Sequence, residues 1–543
     1  MLKAGFLYTV SLMVGFFLLA ACNNIDNTLE TVETNEARLT VPEPIEAVEM
    51  VADLFLDSTA LEAFIASHSI EPEKAVYLRD FYQSRQYQFA WFSKKGLDEH
   101  GRSFWNLHNA YLNYSRDSSH WDKQLHKQMD SLVSNTERIA LSPEELRELE
   151  LLLTAHFFDY AHHAFEGKID PADLKWNIPR KKINAIALLD SLIQRNGERL
   201  DTWEPVNPQY KALRKELIRY YDIDKEGGWP QVVLTGKKLQ EGDSAKAVTQ
   251  LKQRLRLVGD YRPKDNSPRF NAALKEAVRH TQKRFGLTED GVVGPGTVAQ
   301  LNKPVSDRIE QILVNMERMR WMPVQPDSNL ILANIPDFTL HVFEDGKRAF
   351  SMKIVVGKAA NKTVVFNNQL KYIVFSPYWN VPESIVRNEI LPAIKQNPSY
   401  LARHNMEQTG VSNGLPVIRQ RPGGSNSLGL VKFLFPNSYS IYFHDTPAKS
   451  LFSQSQRAFS HGCIRLAEPE KLANYLLRKQ PDWTDSAIYK AMHAGTEKWV
   501  TLADPVPVAI TYFTAWVDSE GAINFREDIY GHDKALAERL FKK

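Results

Sequence analysis

The apolar periodicity of this 543-residue chain changes once, near Pro323, and that change constrains the fold more than any other feature. Upstream the spacing is helical. Ser142-Pro143-Glu144-Glu145 reads as a capped helix start, with serine as cap, proline at the first helical position and glutamate at the box position. Leu146, Leu149, Leu152, Leu153, Phe157, Tyr160, Ala161 and Phe165 then recur on one face until Gly167. Downstream of the linking helix "IEQILVNMERMRWMP" the period is two. Leu340 and Val342 alternate with Thr339, His341 and Phe343, Asp345-Gly346 turns the chain, and Phe350, Met352 and Ile354 resume the alternation. The chain is therefore expected to be multidomain α+β, helical first and β-rich last, with length alone suggesting about three or four domains.

Finer boundaries follow from composition. Residues 1–21 combine Lys3, a short apolar run and small residues ahead of Cys22, which reads as a secretory signal. Leu19-Ala20-Ala21-Cys22 resembles a bacterial lipobox, which implies cleavage before Cys22 and lipidation of its sulfur. Residues 22–50 carry seven acidic side chains against Arg38 alone and no aromatic residue, so they read as a disordered tether with a reach of roughly 30 Å. Residues 51–235 are expected to form a helical scaffold domain. Its histidines His156, His162 and His163 lie among aromatic residues and are assigned no chemistry.

Residues 239–302 contain "LQEGDSAKAVTQLKQRLRLVGDY" and "FGLTEDGVVGPGT", in which helical stripes alternate with glycine turns. The pattern predicts three short helices. It is similar to the small peptidoglycan-binding domain of cell-wall enzymes, a resemblance that implies binding to the wall polymer. A linking helix over 303–328, a β-rich domain over 329–504 and a C-terminal extension over 505–543 complete the expected plan. "LPAIKQNPSYLARHN" reads as a helical insertion and "RQRPGGSNSLG" as a loop able to cover a cleft. A net charge of +2 without a basic run gives no support for a nucleic-acid partner, and none is expected.

The chain has two cysteines. With Cys22 lipidated, Cys463 is a lone thiol in an oxidising compartment and worth reading as reactive. It lies in "AFSHGCIRLAEP", nineteen residues after His444, which ends the strand-like "YSIYFH". An unperturbed thiol is only a few per cent thiolate near neutrality, and a paired histidine activates it. Gly462 leaves room for backbone amides to approach an oxyanion, each worth about 3 kcal/mol in a transition state. On residues alone three readings stand: a packing cysteine, a zinc ligand with His444 and His461, and a nucleophile.

The histidine, the loop and "SHGCIRL" together resemble the L,D-transpeptidase catalytic domain of the YkuD type, as do "YWNVPESI", "RPGGSNSLGLVKFLFPN" and "FHDTP". The order of helical scaffold, peptidoglycan-binding module and catalytic domain resembles the large YcbB-like branch. The resemblance implies Cys463 as nucleophile, His444 as general base and the Asp445 carbonyl as the group orienting that base. Many relatives have glycine in place of Asp445. Ser460, His461, Gly462 and Arg465 match supporting positions. Arg465 either binds a substrate carboxylate or braces the loop.

By the same resemblance the enzyme forms a thioester with a peptidoglycan tetrapeptide stem, releases D-alanine and passes the acyl group to a diamino-acid amine of a neighbouring stem, without metal or cofactor. The alternatives are water as acceptor, giving a carboxypeptidase or cross-link hydrolase, and a non-catalytic wall-binding lipoprotein. Stem peptides and glycan are the implied partners, a carbapenem the implied covalent inhibitor, and an outer-membrane anchor facing the periplasm the implied location.

Overall fold

The computed structural model describes residues 54–117, 122–134 and 141–542. The signal, the lipobox cysteine Cys22 and the tether lie outside the described residues. The helical part is built as its periodicity predicts. Helix α1 (Pro143–Ala161) starts with a complete capping box between Ser142 and Glu145, and a π turn over His162–Glu166 carries the chain to Gly167. Helix α2 (Pro208–Lys225) begins with Asn207 capping Gln209. His156 is a packed residue: burial lowers its imidazole to about 4, and its Nε2 lies 2.9 Å from Nε2 of His108.

Three helices follow in the next unit: α3 (Lys246–Leu257), α4 (Ala272–Arg284) and α5 (Pro295–Leu301). Their core residues Val248, Leu251, Leu255 and Val278 belong to the same apolar cluster as the scaffold helices. The expected linking helix, α6 (Val305–Trp321), is no surface connector, because every residue from Ile312 to Trp321 is buried.

The β-rich part has, in chain order, β1 (Leu330–Asn334), β2 (Thr339–Glu344), β3 (Lys347–Gly357), β4 (Phe366–Phe375), β5 (Trp379–Asn380), β6 (Met406–Ser412) and β7 (Leu415–Gln420). It continues with β8 (Val431–Leu434), β9 (Phe443–His444), β10 (Ala458–Ser460), β11 (Ile464–Leu466) and β12 (Lys498–Thr511). Nine strands form one sheet in the order β10-β3-β11-β9-β8-β4-β12-β1-β2, and a further β2–β3 pairing rolls it closed. Strands β5, β7 and β6 form a separate three-stranded sheet in the insertion between β4 and β8. That insertion also holds the expected helical segment, as Leu391–Gln396 and Tyr400–Arg403.

The expected boundary at Asp504 needs correcting. It cuts β12, a central strand that pairs with β4 on one side and β1 on the other. Pro505 and Pro507 read as a strand end because proline donates no ladder hydrogen bond. The structure accommodates this by shifting the register between Thr501 and Val506. Residues beyond β12 are not an appendage either. Tyr512, Tyr530 and Leu536 enter the core of the sheet, while Ala515, Ile523 and Phe525 enter the helical core.

A chain ended after Thr511 would lose all six of these side chains. Burial of each large apolar side chain is worth about 1.5–3 kcal/mol, and whole domains are stable by only about 5–15 kcal/mol. The truncated protein is expected to be insoluble or to melt far below the full chain in a thermal scan. An unchanged melting temperature would show that the segment is a true extension.

Candidate active site

Cys463 precedes β11, and His444 ends β9. The two strands are parallel neighbours, with Phe443 opposite Ile464 and His444 opposite Arg465. The core face of the sheet takes Phe443, Ile464 and Leu466. Alternation therefore puts Tyr442, His444, Cys463 and Arg465 together on the other face, with adjacent strands about 4.8 Å apart. The sequence pattern predicted a strand ending in His444 but not this partner strand or its register.

His444 is buried, and its Nδ1–H donates to the Asp445 carbonyl at 2.5 Å. That bond fixes the tautomer and leaves Nε2 as the basic nitrogen. The Asp445 carbonyl thus stands where the resemblance puts the orienting group. Burial, reinforced by the Arg465 guanidinium, lowers the imidazole from 6.5 to about 3. Burial also raises the Cys463 thiol, opposed by hydrogen bonding from Tyr442. Near neutrality the pair is a neutral thiol and a neutral base, not a preformed ion pair. The thiol donates to the Ser440 carbonyl at 3.4 Å, not to His444.

The loop carrying Cys463 is pinned from within. Ser460 Oγ accepts from the Gly462 amide at 3.1 Å and donates to the Cys463 carbonyl at 2.6 Å. Gly462 has φ +118°, a conformation side-chain-bearing residues rarely adopt. Thr363 Oγ1 accepts from the Gly357 amide and donates to the Gly462 carbonyl at 2.8 Å. His461 turns outward, to Glu389 of the insertion at 2.9 Å. Arg465 keeps a buried Nε without a hydrogen-bond partner. Among the described residues no group of three or more His, Cys, Asp or Glu is arranged to hold a metal ion. His444 Nδ1 is taken by the Asp445 carbonyl and His461 Nε2 by Glu389.

The aspartate at position 445 has a side-chain role as well. Its carboxylate accepts from the Leu430 amide at 2.9 Å and pairs with Lys449 at 2.6 Å. Gly429, at φ +64°, leaves it that space, because a Cβ there would lie 2.3 Å from the carboxylate. The loop after β7 is thereby held beside His444. Asn426, fully buried, ties the same loop to the Pro377 carbonyl at 3.1 Å. Tyr442, Thr363 and Asn426 were not picked out from the sequence. For Tyr442 the signal was available, since it lies two residues before His444 on a strand and so shares its face.

Three family models match the chain: a scaffold domain over residues 76–217, a peptidoglycan-binding domain over 244–301, and the L,D-transpeptidase catalytic domain, YkuD, over 328–508. The chain carries a YkuD L,D-transpeptidase domain. Its catalytic match spans β1 to β12 and contains His444 and Cys463.

A relative from Haemophilus influenzae, provisionally named an L,D-transpeptidase, is 30% identical over 246 residues. The match covers 42% of this chain and spans half the length of that relative. Among solved structures, an L,D-transpeptidase from Xylanimonas cellulosilytica aligns at 16% identity and TM-score 0.18, covering 51% of this chain and 100% of its own. One from Mycobacterium smegmatis aligns at 15% and 0.20, covering 34% and 60%. L,D-transpeptidase 3 of Mycobacterium tuberculosis, with a faropenem-derived adduct, aligns at 16% and 0.18, covering 34% and 62%. The YkuD assignment rests on the family model.

The desolvated base of the YkuD domain makes a pH prediction. With His444 at about 3 rather than 6.5, and the thiol above its ordinary value, the neutral pair persists across the whole middle range. Acylation of the enzyme by a carbapenem, followed by intact mass, is expected to be flat from about pH 8 to about pH 5. An inflection near 6.5 would show the imidazole to be solvated. Because the folded pKa lies below the unfolded one, the His444 contribution to stability is complete above 6.5 and is lost as pH falls toward 3.

Proposed function

We propose that this protein is a peptidoglycan L,D-transpeptidase working through a Cys463 thioester. The observation that carries the reading is the shared sheet face. It presents the thiol and an imidazole whose Nδ1–H is held by a backbone carbonyl, within a matched YkuD domain. The thiol turns from the Ser440 carbonyl toward His444, whose Nε2 takes its proton. Sulfur bonds to the carbonyl carbon of the third stem residue, and the C–N bond to D-alanine breaks. The proton passes from His444 to the departing amine.

The side-chain amine of a second stem then attacks the thioester, gives a proton to His444 and expels the sulfur, which recovers that proton. The Gly462 amide is already bonded to Ser460 Oγ, so the oxyanion is assigned to the amides flanking it. Arg465, with its unpartnered Nε beside the sulfur, is assigned to a stem carboxylate.

The matched peptidoglycan-binding domain supports the polymer as substrate, since holding the chain on the wall raises the local concentration of stems. Purified protein given a tetrapeptide stem and an amine acceptor is expected to yield the cross-linked dimer. Cys463→Ala should abolish it. Tripeptide alone would make water the acceptor, and no product from the intact enzyme would overturn the reading.

Acylation of Cys22, with an outer-membrane anchor facing the periplasm, is proposed from the Leu-Ala-Ala-Cys sequence. Cys22→Ala is expected to release the protein from membranes with its soluble activity intact. Membrane association that survives the change would contradict lipidation.

A further inference from the structure

The face that carries Cys463 continues well past the catalytic pair. Cross-strand register puts Tyr442 of β9's approach, Leu434 of β8 and Tyr372 of β4 in one row with Cys463, and Lys432 and His444 in the next. Tyr442, Leu434 and Tyr372 are only half-buried although they lie on central strands, so the row is an open track. One strand further, on β12, Trp499 is 55% exposed.

Its orientation is fixed: the indole N–H donates to Glu497 at 3.0 Å, Tyr372 meets the ring edge to face at 6.2 Å, and the Lys432 ammonium lies 5.5 Å from its centroid. A large exposed aromatic held on three sides presents a rigid surface at low entropic cost. That is the chemistry by which a protein grips an amphipathic ring.

We propose that Trp499 and Tyr372 form a subsite for the muramyl sugar of the donor strand, reached by the stem that Cys463 attacks; the assignment rests on the proposed transpeptidase reading. The distances agree. Tyr372 lies three strand spacings from Cys463, about 14 Å, with Trp499 one strand beyond and in the adjacent row, opposite Val374. Three extended stem residues reach back about 10 Å from the attacked carbonyl, and the lactyl link then brings the pyranose onto the Tyr372–Trp499 pair. Its apolar C–H face stacks on the indole. Arg465 gives the track a cation that matches a free carboxylate of the stem between sugar and scissile bond, while Lys432 is held beside Trp499 by Glu497 at 3.7 Å. The track thus reads the glycan-bearing end of the donor.

The test uses the full chain in two forms. Cys463→Ala protein is titrated by calorimetry with a disaccharide-tetrapeptide and with the free tetrapeptide, and intact enzyme is assayed on both. Preference for the disaccharide form is expected, and adding Trp499→Ala should lower it by about tenfold, a typical loss for an aromatic anchor, through KM more than kcat. Tyr489→Ala, which removes an aromatic of similar exposure on another surface, serves as control and should keep the preference.

Equal binding of both ligands by the parent, or a preference that survives Trp499→Ala, overturns the subsite even where turnover is normal. A preference abolished by Trp499→Ala upholds the subsite even where the intact enzyme turns over neither ligand, and in that case the transpeptidase reading alone falls.

Discussion

The architecture hangs on the burial of one helix. Residues Val305–Trp321 lie between two hydrophobic cores, giving Ile309, Ile312, Leu313, Met316 and Met319 to the helical one and Val314 and Trp321 to the one beneath the sheet. From Ile312 to Trp321 the helix is buried and must satisfy its polar side chains internally, because an unpaired buried charge costs several kcal/mol. Here Glu317 pairs with Arg320 at 2.6 Å and accepts the Ile169 amide, while Arg320 also reaches the Ala164 carbonyl and Tyr210. Arg318 reaches Asp533 at 2.6 Å, and Asn315 exchanges two bonds with Thr514. Those partners come from the scaffold on one side and the C-terminal segment on the other. The same helix that fills both cores therefore fixes the two halves against each other.

The peptidoglycan-binding unit is locked by the same means. Arg284 donates to the Ile523 carbonyl at 2.7 Å, and Arg526 donates to the Arg284 carbonyl at 2.7 Å. On the proposed function, a unit fixed in this way would orient the polymer relative to the Cys463 face as well as concentrate it. A flexible linker would supply only the concentration.

Desolvation sets the chemistry of the site. An imidazole lowered to about 3 and a thiol raised by burial leave both groups neutral near neutrality. Donors aimed at developing charge act most strongly where water is excluded. Asn426 and Asp445 anchor the last loop of the insertion, and the insertion meets the Cys463 loop through Glu389 and His461. Asp445 makes both contacts: its carbonyl accepts the His444 Nδ1–H, and its carboxylate holds the loop after β7.

Much of this could be read from the chain before any coordinates. Local chemistry determined the Ser142 cap, the three short helices around the glycine turns, the Asp345-Gly346 hairpin and the change of period near Pro323, because each depends on residues a few positions apart. It also singled out Cys463 and His444, since a lone thiol beside a glycine and a histidine at a strand end are local features. The Asp504 boundary failed because two prolines inside β12 imitate a strand end, and only pairing with β1 and β4 shows that the strand continues.

Long-range register lay beyond the sequence. That Tyr442 faces the sulfur, that Trp499 lies on the same face as Lys432 and His444, and that residues beyond Thr511 complete both cores all depend on which strands and helices become neighbours. Sequence by itself determined the elements and the reactive residue types. Tertiary structure alone decided their partners, because side chains distant along the chain acquire a common face and a common dielectric only once the sheet has closed and α6 is buried.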